Sequence, residues 1–372
     1  MSLKVLAVVH EAYPGAPSAA LDVCRFMSVR LKAEFKFILL RGGPIKDDFE
    51  SVGEVLVLRN ASSRVTGLRS GLAFLRDRLA VAGLCARWRP SVLYLSSILS
   101  VLASPVLRPL GLPAVLHVYE LDAYYPLVER RMNAFKSWPK LYLATSEAVC
   151  RHLTEKIGVE PSKVALAYGA IDAERVLRLA GETPAENLRA GWDALVGGAG
   201  RDWRRKGVDL WLKAAAAIRA RMPGKKIRFV WIGEIPEEDR ARLLAEAGET
   251  GDSVRFLGFL ANPYPFYAQF DVFLMTSRED PLPLVVMESL LLEKPVLCFE
   301  GRGGSPEVVR SDAGASVPFP DTERMAGEAA RFLSDAAART AAGKTGRRRV
   351  LETHEAAVLA KTVRSALEGA AR

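Results

Sequence analysis

Short runs of apolar residues alternate with longer stretches of helical periodicity along the whole chain. In the first half the runs are 4–9, 35–40, 54–58, 92–95, 114–118, 141–145 and 164–168. They are rich in Val, Leu and Ile and apolar on both faces, the pattern of parallel strands buried between helices. Helical stretches such as 18–32 and 147–156 lie between them. A polar segment, 172–187, holding Gly181 and Pro184, then reads as an interdomain linker. A second series of runs follows at 194–198, 227–232, 254–257, 272–276, 296–299 and 315–318. The tail, 325–372, is rich in Ala, Arg and Glu and helical by pattern. Alternation of this kind predicts the α/β class, with two doubly wound parallel sheets in tandem. The expected division is a first domain over 1–180, a second over 181–350, and an end helix over 351–372 that returns to the first domain. Open parallel sheets take ligands beyond the carboxyl ends of their strands. Two such domains facing each other are expected to form a cleft, with the chemistry on loops that follow strands.

Length and composition fit this picture. The chain has 372 residues, enough for two domains at roughly 100–200 residues each. Its 49% apolar content supplies two cores and argues against disorder. The formal charge of +9 favours anionic partners such as nucleotide phosphates or an acidic membrane surface, and a merely solvated basic surface explains it equally well. No nucleic-acid-binding module is recognisable, so nucleic acid is not an expected partner. The cysteines, Cys24, Cys85, Cys150 and Cys298, are scattered in apolar segments without metal or redox spacing, which suits a reducing cytosol. No metal site is expected. The first ten residues read as a strand rather than a signal peptide. The longest apolar candidate, 94–107, is too short to span a bilayer and runs into Arg108 and Pro109.

Five loops carry candidate chemistry. Gly200 to Gly207 brings Arg201, Arg204, Arg205 and Lys206 to the start of a helix over 208–221. Cations there oppose the helix dipole, so an anion site is favoured over a basic loop balanced by Asp202. The second loop runs from Ser277 to Glu288, with Pro283 suited to the first turn of a helix. Backbone N–H groups at such a start face a ligand. Glu288 lies about 7.5 Å further along the axis, among apolar neighbours, where a carboxylate needs a hydrogen-bond partner such as a ribose hydroxyl. The alternative is a wet edge of the helix. Gly303-Gly304-Ser305-Pro306-Glu307 allows close backbone approach or is an ordinary turn. Gly15-Ala16-Pro17-Ser18 follows the first run, with Ser18 as a helix cap or a phosphate or sugar contact. His117-Val118-Tyr119-Glu120-Leu121-Asp122 ends a strand with one histidine and two carboxylates directed to the cleft, although a lone histidine there is more often structural. His10, beside Glu11, is a weaker candidate of the same kind.

Other motifs fail on context. Gly343-Lys344-Thr345 imitates a P-loop end, yet Ala338 replaces the upstream glycine and no strand precedes it. Gly198-Ala199-Gly200 starts a dinucleotide fingerprint that Trp203 breaks.

Taken together, the loops resemble those of the retaining glycosyltransferases of family 4, which have the GT-B fold of two Rossmann-like domains. The phosphate loop of that family, G-R-x4-K-G, is matched from Gly200-Arg201 to Lys206-Gly207. Its paired carboxylates, with seven residues between them, are matched by Asp280 and Glu288. Flanking phrases agree at 256–258, 271–274, 294–296 and 304–309, and more loosely in the first half. The resemblance implies that Arg201 and Lys206, with Arg205, neutralise a donor diphosphate. It implies that Glu288 binds ribose, and that Asp280 with the backbone of Pro281, Leu282, Pro283 and Leu284 holds donor sugar and phosphates. Gly15 is implied to approach the phosphate from the first domain, and Gly233 and Leu257 are further donor contacts. His117 is carried as a catalytic candidate, with Tyr119 standing where the family often has histidine. The first carboxylate of the pair is often Glu in the family and is Asp280 here.

The implied activity is metal-independent transfer of a hexosyl-type sugar from a nucleotide-diphosphate sugar to a glycan or lipid-linked acceptor, in cell-envelope polysaccharide synthesis. No cofactor is expected beyond the nucleotide-diphosphate sugar itself. The alternatives are a nucleotide-sugar epimerase on the same fold and a non-catalytic nucleotide-sugar binder. Basic helical stretches at 64–89 and 130–140 are expected either to rest on acidic lipid or to be solvated. The expected place is the cytoplasm, with peripheral contact at the inner face of the membrane.

Overall fold

The computed structural model describes residues 2–13, 15–58 and 68–372, with backbone alone for 68–70; positions 64–67 of the expected basic helix lie outside these. Contacts divide the chain into two compact units, Met1–Ala170 with Ala356–Arg372, and Ile171–Glu355.

The first unit is built on β1 (Lys4–Val9), β2 (Glu34–Leu39), β3 (Glu54–Val57), β4 (Val92–Ser96), β5 (Ala114–Val118), β6 (Leu141–Ala144) and β7 (Val164–Leu166). All pair in parallel, in the order β3-β2-β1-β4-β5-β6-β7. The second unit holds β8 (Ala194–Ala199), β9 (Ile227–Ile232), β10 (Val254–Phe256), β11 (Val272–Met275), β12 (Val296–Phe299) and β13 (Gly314–Val317). Its parallel order is β10-β9-β8-β11-β12-β13. In both sheets the strand order reverses direction once, at β1/β4 and at β8/β11. A crevice opens at such a switch beyond the carboxyl ends of the strands. The loops after β1, β4, β8 and β11 are therefore the ones positioned for chemistry.

Strand composition explains the layering. Every residue of β4 and β5 is buried, so alternate side chains enter two different cores. Ala114, Leu116 and Val118 face one, and Val115 faces the other with Tyr94 and Leu143.

The last helix, Ala356–Ala371, completes that second core. Leu359, Ala360, Val363 and Leu367 cluster with Val23, Cys24 and Met27 of the helix Ala16–Leu31. Lys140 Nζ donates to the Ala370 carbonyl at 2.8 Å, and Arg364 donates to that of Leu31. The segment expected as a linker is structured instead. Asp172 accepts from the Arg175 N–H at 2.8 Å and caps the helix Ala173–Ala180, whose Ala173 and Val176 enter a core of the second unit. Gly343 lies inside the helix Ala336–Thr353, where a Cβ would stand 2.2 Å from the Glu293 carbonyl oxygen. It serves close packing beneath the helix Leu284–Leu291 rather than phosphate binding.

Candidate active site

In the second unit the loop after β8 turns so that its lysine meets the loop after β11. Asp202 accepts from the Arg205 N–H at 3.3 Å and caps the short helix Trp203–Lys206. Gly207 ends it at φ +70, a conformation glycine adopts without strain. A Cβ there would lie 2.2 Å from the Thr276 carbonyl oxygen. Thr276 Oγ1 in turn donates to the Gly207 carbonyl at 2.9 Å. Arg278 fastens the same two loops, holding Asp209 through both nitrogens at 2.8 and 2.6 Å and the Arg204 carbonyl at 2.8 Å.

This scaffold brings Lys206 Nζ to 2.5 Å from Asp280 Oδ2, with both side chains about one-tenth exposed. Arg205 Nη1 stands 3.5 Å from the same oxygen and donates to the Glu279 carbonyl at 2.9 Å. Asp280 is fixed by the third candidate loop. Its N–H donates to the Arg302 carbonyl at 2.8 Å, and the Gly304 N–H donates to the carbonyls of Asp280 and Pro281 at 3.2 and 2.9 Å. Gly303, at φ +126, permits that approach, since a Cβ would fall 1.7 Å from the Asp280 carbonyl oxygen.

The remaining cations diverge. Arg204 is exposed, 4.9 Å above the Trp203 ring and 3.7 Å from Asp239. Arg201 is exposed on the loop itself. The structure thus gathers Arg205, Lys206 and Asp280 and leaves Arg201 at the rim.

Glu288 lies buried on the helix Leu284–Leu291. Tyr264 Oη donates to its Oε1 at 3.1 Å. Burial raises the carboxyl pKa to about 7, against the pull of the Tyr264 bond and the positive charges of Arg175 and Lys206. Sequence reasoning missed Tyr264 and Arg175; neither sits in a motif, and tertiary packing alone brings them to Glu288. Pro283 caps the helix rather than opening its first turn, with φ −73 and ψ 128. The Val286 N–H returns to the Pro283 carbonyl at 3.1 Å, and helix geometry gives the amides of Leu284 and Val285 no partner within the helix. Leu257 is half-buried at the end of β10, its N–H on the Trp231 carbonyl. Gly233, at φ +142, packs closely on the loop after β8: the Gly200 carbonyl oxygen lies 2.0 Å from a Cβ position.

The first unit holds the other candidates. Gly15 is exposed at φ +125 and caps the helix Ala16–Leu31, with nothing within 4 Å of a Cβ position. Its carbonyl accepts from the Ser18 N–H at 3.0 Å, so Ser18 lies in the first turn and is not the cap. His117 also requires correction. It is fully buried, and the Tyr94 and Tyr119 hydroxyls lie 2.7 and 2.9 Å from its Nδ1. Burial lowers its pKa to about 3, so the ring is neutral. Its place on β5, in register with Val115, directs it into a core rather than toward solvent. Glu120 is structural as well. It accepts from Ser97 Oγ at 2.5 Å and from the N–H groups of Ile98 and Tyr119 at 2.9 and 3.0 Å, tying the ends of β4 and β5. Among the described residues no cluster of three His, Cys, Asp or Glu side chains forms a metal site.

Two parallel sheets, of seven and six strands, give the GT-B fold of glycosyltransferases. Residues 182–349 match the glycosyl transferases group 1 profile and residues 8–175 the glycosyltransferase family 4 profile. The chain belongs to glycosyltransferase family 4. It is 26% identical over 249 residues to the alpha-D-kanosaminyltransferase of Streptomyces kanamyceticus, covering 61% of this chain and 63% of that protein. It is 30% identical over 148 residues to LpsE, a lipopolysaccharide core biosynthesis glycosyltransferase of Rhizobium meliloti, covering 40% and 42%. These matches span less than two thirds of each relative. In fold the chain is similar to HepE of Anabaena in complex with UDP and glucose, with a TM-score of 0.80 and 17% identity over 99% of this chain and 100% of that one. Sucrose-phosphate synthase of Thermosynechococcus elongatus gives 0.78 and 18% over 99% and 98%.

Proposed function

We propose that this chain transfers a sugar, with retention at the anomeric carbon, from a nucleotide-diphosphate sugar to a glycan or lipid-linked acceptor of the cell envelope. The observation that carries the reading is the convergence of Lys206 and Arg205 on Asp280, with buried Glu288 close enough to feel the Lys206 charge.

As the bond to the diphosphate breaks, negative charge grows on the leaving oxygens and the sugar becomes oxocarbenium-like. Fixed cations stabilise that state more than the bound substrate, which is the requirement for catalysis. Lys206 and Arg205 supply the charge without a metal, and Arg201 closes on the diphosphate from the rim. Asp280 and the backbone from Pro281 to Leu284 hold the sugar and phosphates, and Glu288 accepts from ribose hydroxyls. The leaving phosphate takes the acceptor proton, so no enzyme nucleophile is needed. The names of the relatives, among them a lipopolysaccharide core glycosyltransferase and a transferase acting on a diphospho-undecaprenol-linked sugar, support sugar transfer to an envelope glycan, and the HepE complexes make UDP-glucose the first donor to try.

The test combines a panel of nucleotide sugars, read by thermal shift and by turnover, with the variant Lys206→Ala. Turnover is expected to fall by about 10²-fold or more, as for a lost oxyanion donor. Unchanged turnover rejects the phosphate role. Conversion of donor to an isomer without acceptor would identify an epimerase instead, and nucleotide binding without turnover on any acceptor a binding protein.

A further inference from the structure

The two oxygens of the Glu288 carboxylate are not equivalent. Oε1 accepts from Tyr264 Oη at 3.1 Å. Oε2 takes no bond from a side chain among the described residues, and it is not one of the polar atoms sealed from water without a partner. An ionised carboxylate accepts about four hydrogen bonds, two on each oxygen. Glu288 thus has an anchored end and an open end, although the residue as a whole is only 8% exposed.

Packing places the anchor. Tyr264 stands between Pro263 and Pro265 in the short helix Tyr264–Tyr267, and its N–H donates to Asn262 Oδ1 at 3.3 Å. Its ring meets Tyr267 edge-on at 6.1 Å. Tyr267 in turn packs on Phe270 at 5.9 Å and on Phe273 of β11 at 6.1 Å. All four rings are buried. A tyrosine has only two side-chain torsions, so a packed ring fixes where its hydroxyl lies. Burial presses Glu288 toward its neutral form, and the Tyr264 bond leads the influences that oppose it, ahead of the charges of Arg175 and Lys206. The hydroxyl therefore both aims the carboxylate and favours its ionised form, the one that accepts from ligand hydroxyls. A purely structural tyrosine, seeking any acceptor for its buried O–H, would affect stability but not ligand preference.

We propose that Tyr264 is a positioning residue for the donor nucleoside: it clamps Oε1 so that Oε2 meets the ribose hydroxyls in one orientation, and the pair selects ribose over deoxyribose. This rests on the reading of Glu288 as the ribose ligand. A site built to receive a hydroxyl rejects an analogue that lacks it, because the group of the site is then left unpaired. Without Tyr264 the carboxylate turns to water, and the rejection weakens.

Calorimetric titration of the full chain with UDP, GDP and ADP identifies the diphosphate that binds most tightly, and its 2′-deoxy and 3′-deoxy forms are then titrated. The parent is expected to bind the ribose form at least about tenfold more tightly than one of the deoxy forms. Tyr264→Phe keeps the ring. It should bind the ribose form about fivefold more weakly and that deoxy form as before, so the preference shrinks by the same factor. Each preference is a ratio on one protein sample, so it does not depend on the folded fraction. With the matching nucleotide sugar, donor KM should rise by about that factor while kcat stays within about twofold, as for a contact made equally in the bound and transition states. Glu288→Gln should also lose the preference, and adding Tyr264→Phe to it should change nothing further, as for two residues that act as one unit. An undiminished preference in Tyr264→Phe, or a parent that binds ribose and deoxy forms alike, overturns the proposal. A Glu288→Gln variant with full preference, or a parent that binds none of the three diphosphates, overturns the donor-site reading and takes the proposal with it.

Discussion

The ammonium of Lys206 lies 2.5 Å from Oδ2 of Asp280, and Arg205 shares that oxygen at 3.5 Å. The cations read here as diphosphate ligands are thus already engaged by a carboxylate of the same site. On the proposed reading, a diphosphate entering the site would compete with Asp280 for Lys206, and a departing one would return Lys206 to it. The pair keeps a nearly buried charge satisfied between turnovers.

Replacing Asp280 by Asn removes the competitor and leaves the cations. The variant should melt lower than the parent without ligand, because Lys206 loses its partner. A nucleoside diphosphate should then raise its melting temperature by more than it raises the parent's. Sugar transfer should drop by about 10²-fold, on the scale of a lost transition-state contact. Calorimetric titration with the diphosphate and steady-state rates check both halves.

Glu288 makes the site sensitive to pH. Burial raises its carboxyl to about 7 from an ordinary 4.5, so the folded chain binds the proton more tightly than the unfolded one. The contribution to stability is therefore present below about pH 4.5 and is lost as pH rises through about 7, at no more than about 1.4 kcal/mol per pH unit. Glu288→Gln should flatten that slope and be the more stable protein above pH 7. Ribose hydroxyls donate to the ionised form, so nucleotide affinity of the parent should rise between pH 6 and 8, and that rise should vanish in the variant.

His117 has the opposite sign. Its folded pKa, lowered to about 3, lies below the ordinary 6.5, so stability is complete above pH 6.5 and is lost as the medium is acidified toward 3. His10, lowered to about 4 by burial, adds to the same trend. His117→Gln keeps a hydrogen-bond acceptor for Tyr94 and cannot titrate. Denaturant midpoints at pH 7 and 5 should differ less in this variant than in the parent, and turnover should stay within about threefold of the parent, far from the loss in Lys206→Ala. A loss matching Lys206→Ala would return His117 to the catalytic machinery.

Gly303 and Gly301 form a matched pair for testing the support of Asp280. Both have positive φ, +126 and +67, but a Cβ at Gly303 would collide with the Asp280 carbonyl whereas one at Gly301 meets nothing within 4 Å. Gly303→Ala should displace Asp280 and cut turnover by about tenfold or more, while Gly301→Ala should cost only about 1 kcal/mol of stability through strain. Equal activity losses in the two would mean that backbone strain alone explains the effect.

Much of this molecule is legible in the sequence. All thirteen strands overlap the short apolar runs that predict them, and the central ones, such as β1, β4, β8 and β11, are the plainest because strands covered on both faces have few polar alternate positions to blur the pattern. The same property hides the direction of side chains. Nothing in a β5 buried along its whole length tells which of His117 and Val118 faces which core, and the histidine expected at a cleft proves to be buried. The spacing of Arg205, Lys206, Asp280 and Glu288 points to one site, yet the partners Tyr264 and Arg175 come from segments without a motif. Helix 68–88 shows the limit most plainly. Its leucines at 72, 75 and 79 have the spacing of a core stripe, and so do Phe74, Val81 and Leu84; only tertiary structure decides which stripe turns inward.

The first unit takes its final segment from the opposite end of the chain, since Ala356–Ala371 closes a core begun by Lys4–Val9. A ribosome making this protein must deliver more than three hundred residues before the sheet it made first can be sealed. Until then Val23, Cys24 and Met27 lack the cover that Leu359 and Val363 provide. The nascent amino-terminal half is thus a natural client for a chaperone, and cutting the gene after position 170 should yield an insoluble fragment unless the terminal helix is supplied in trans.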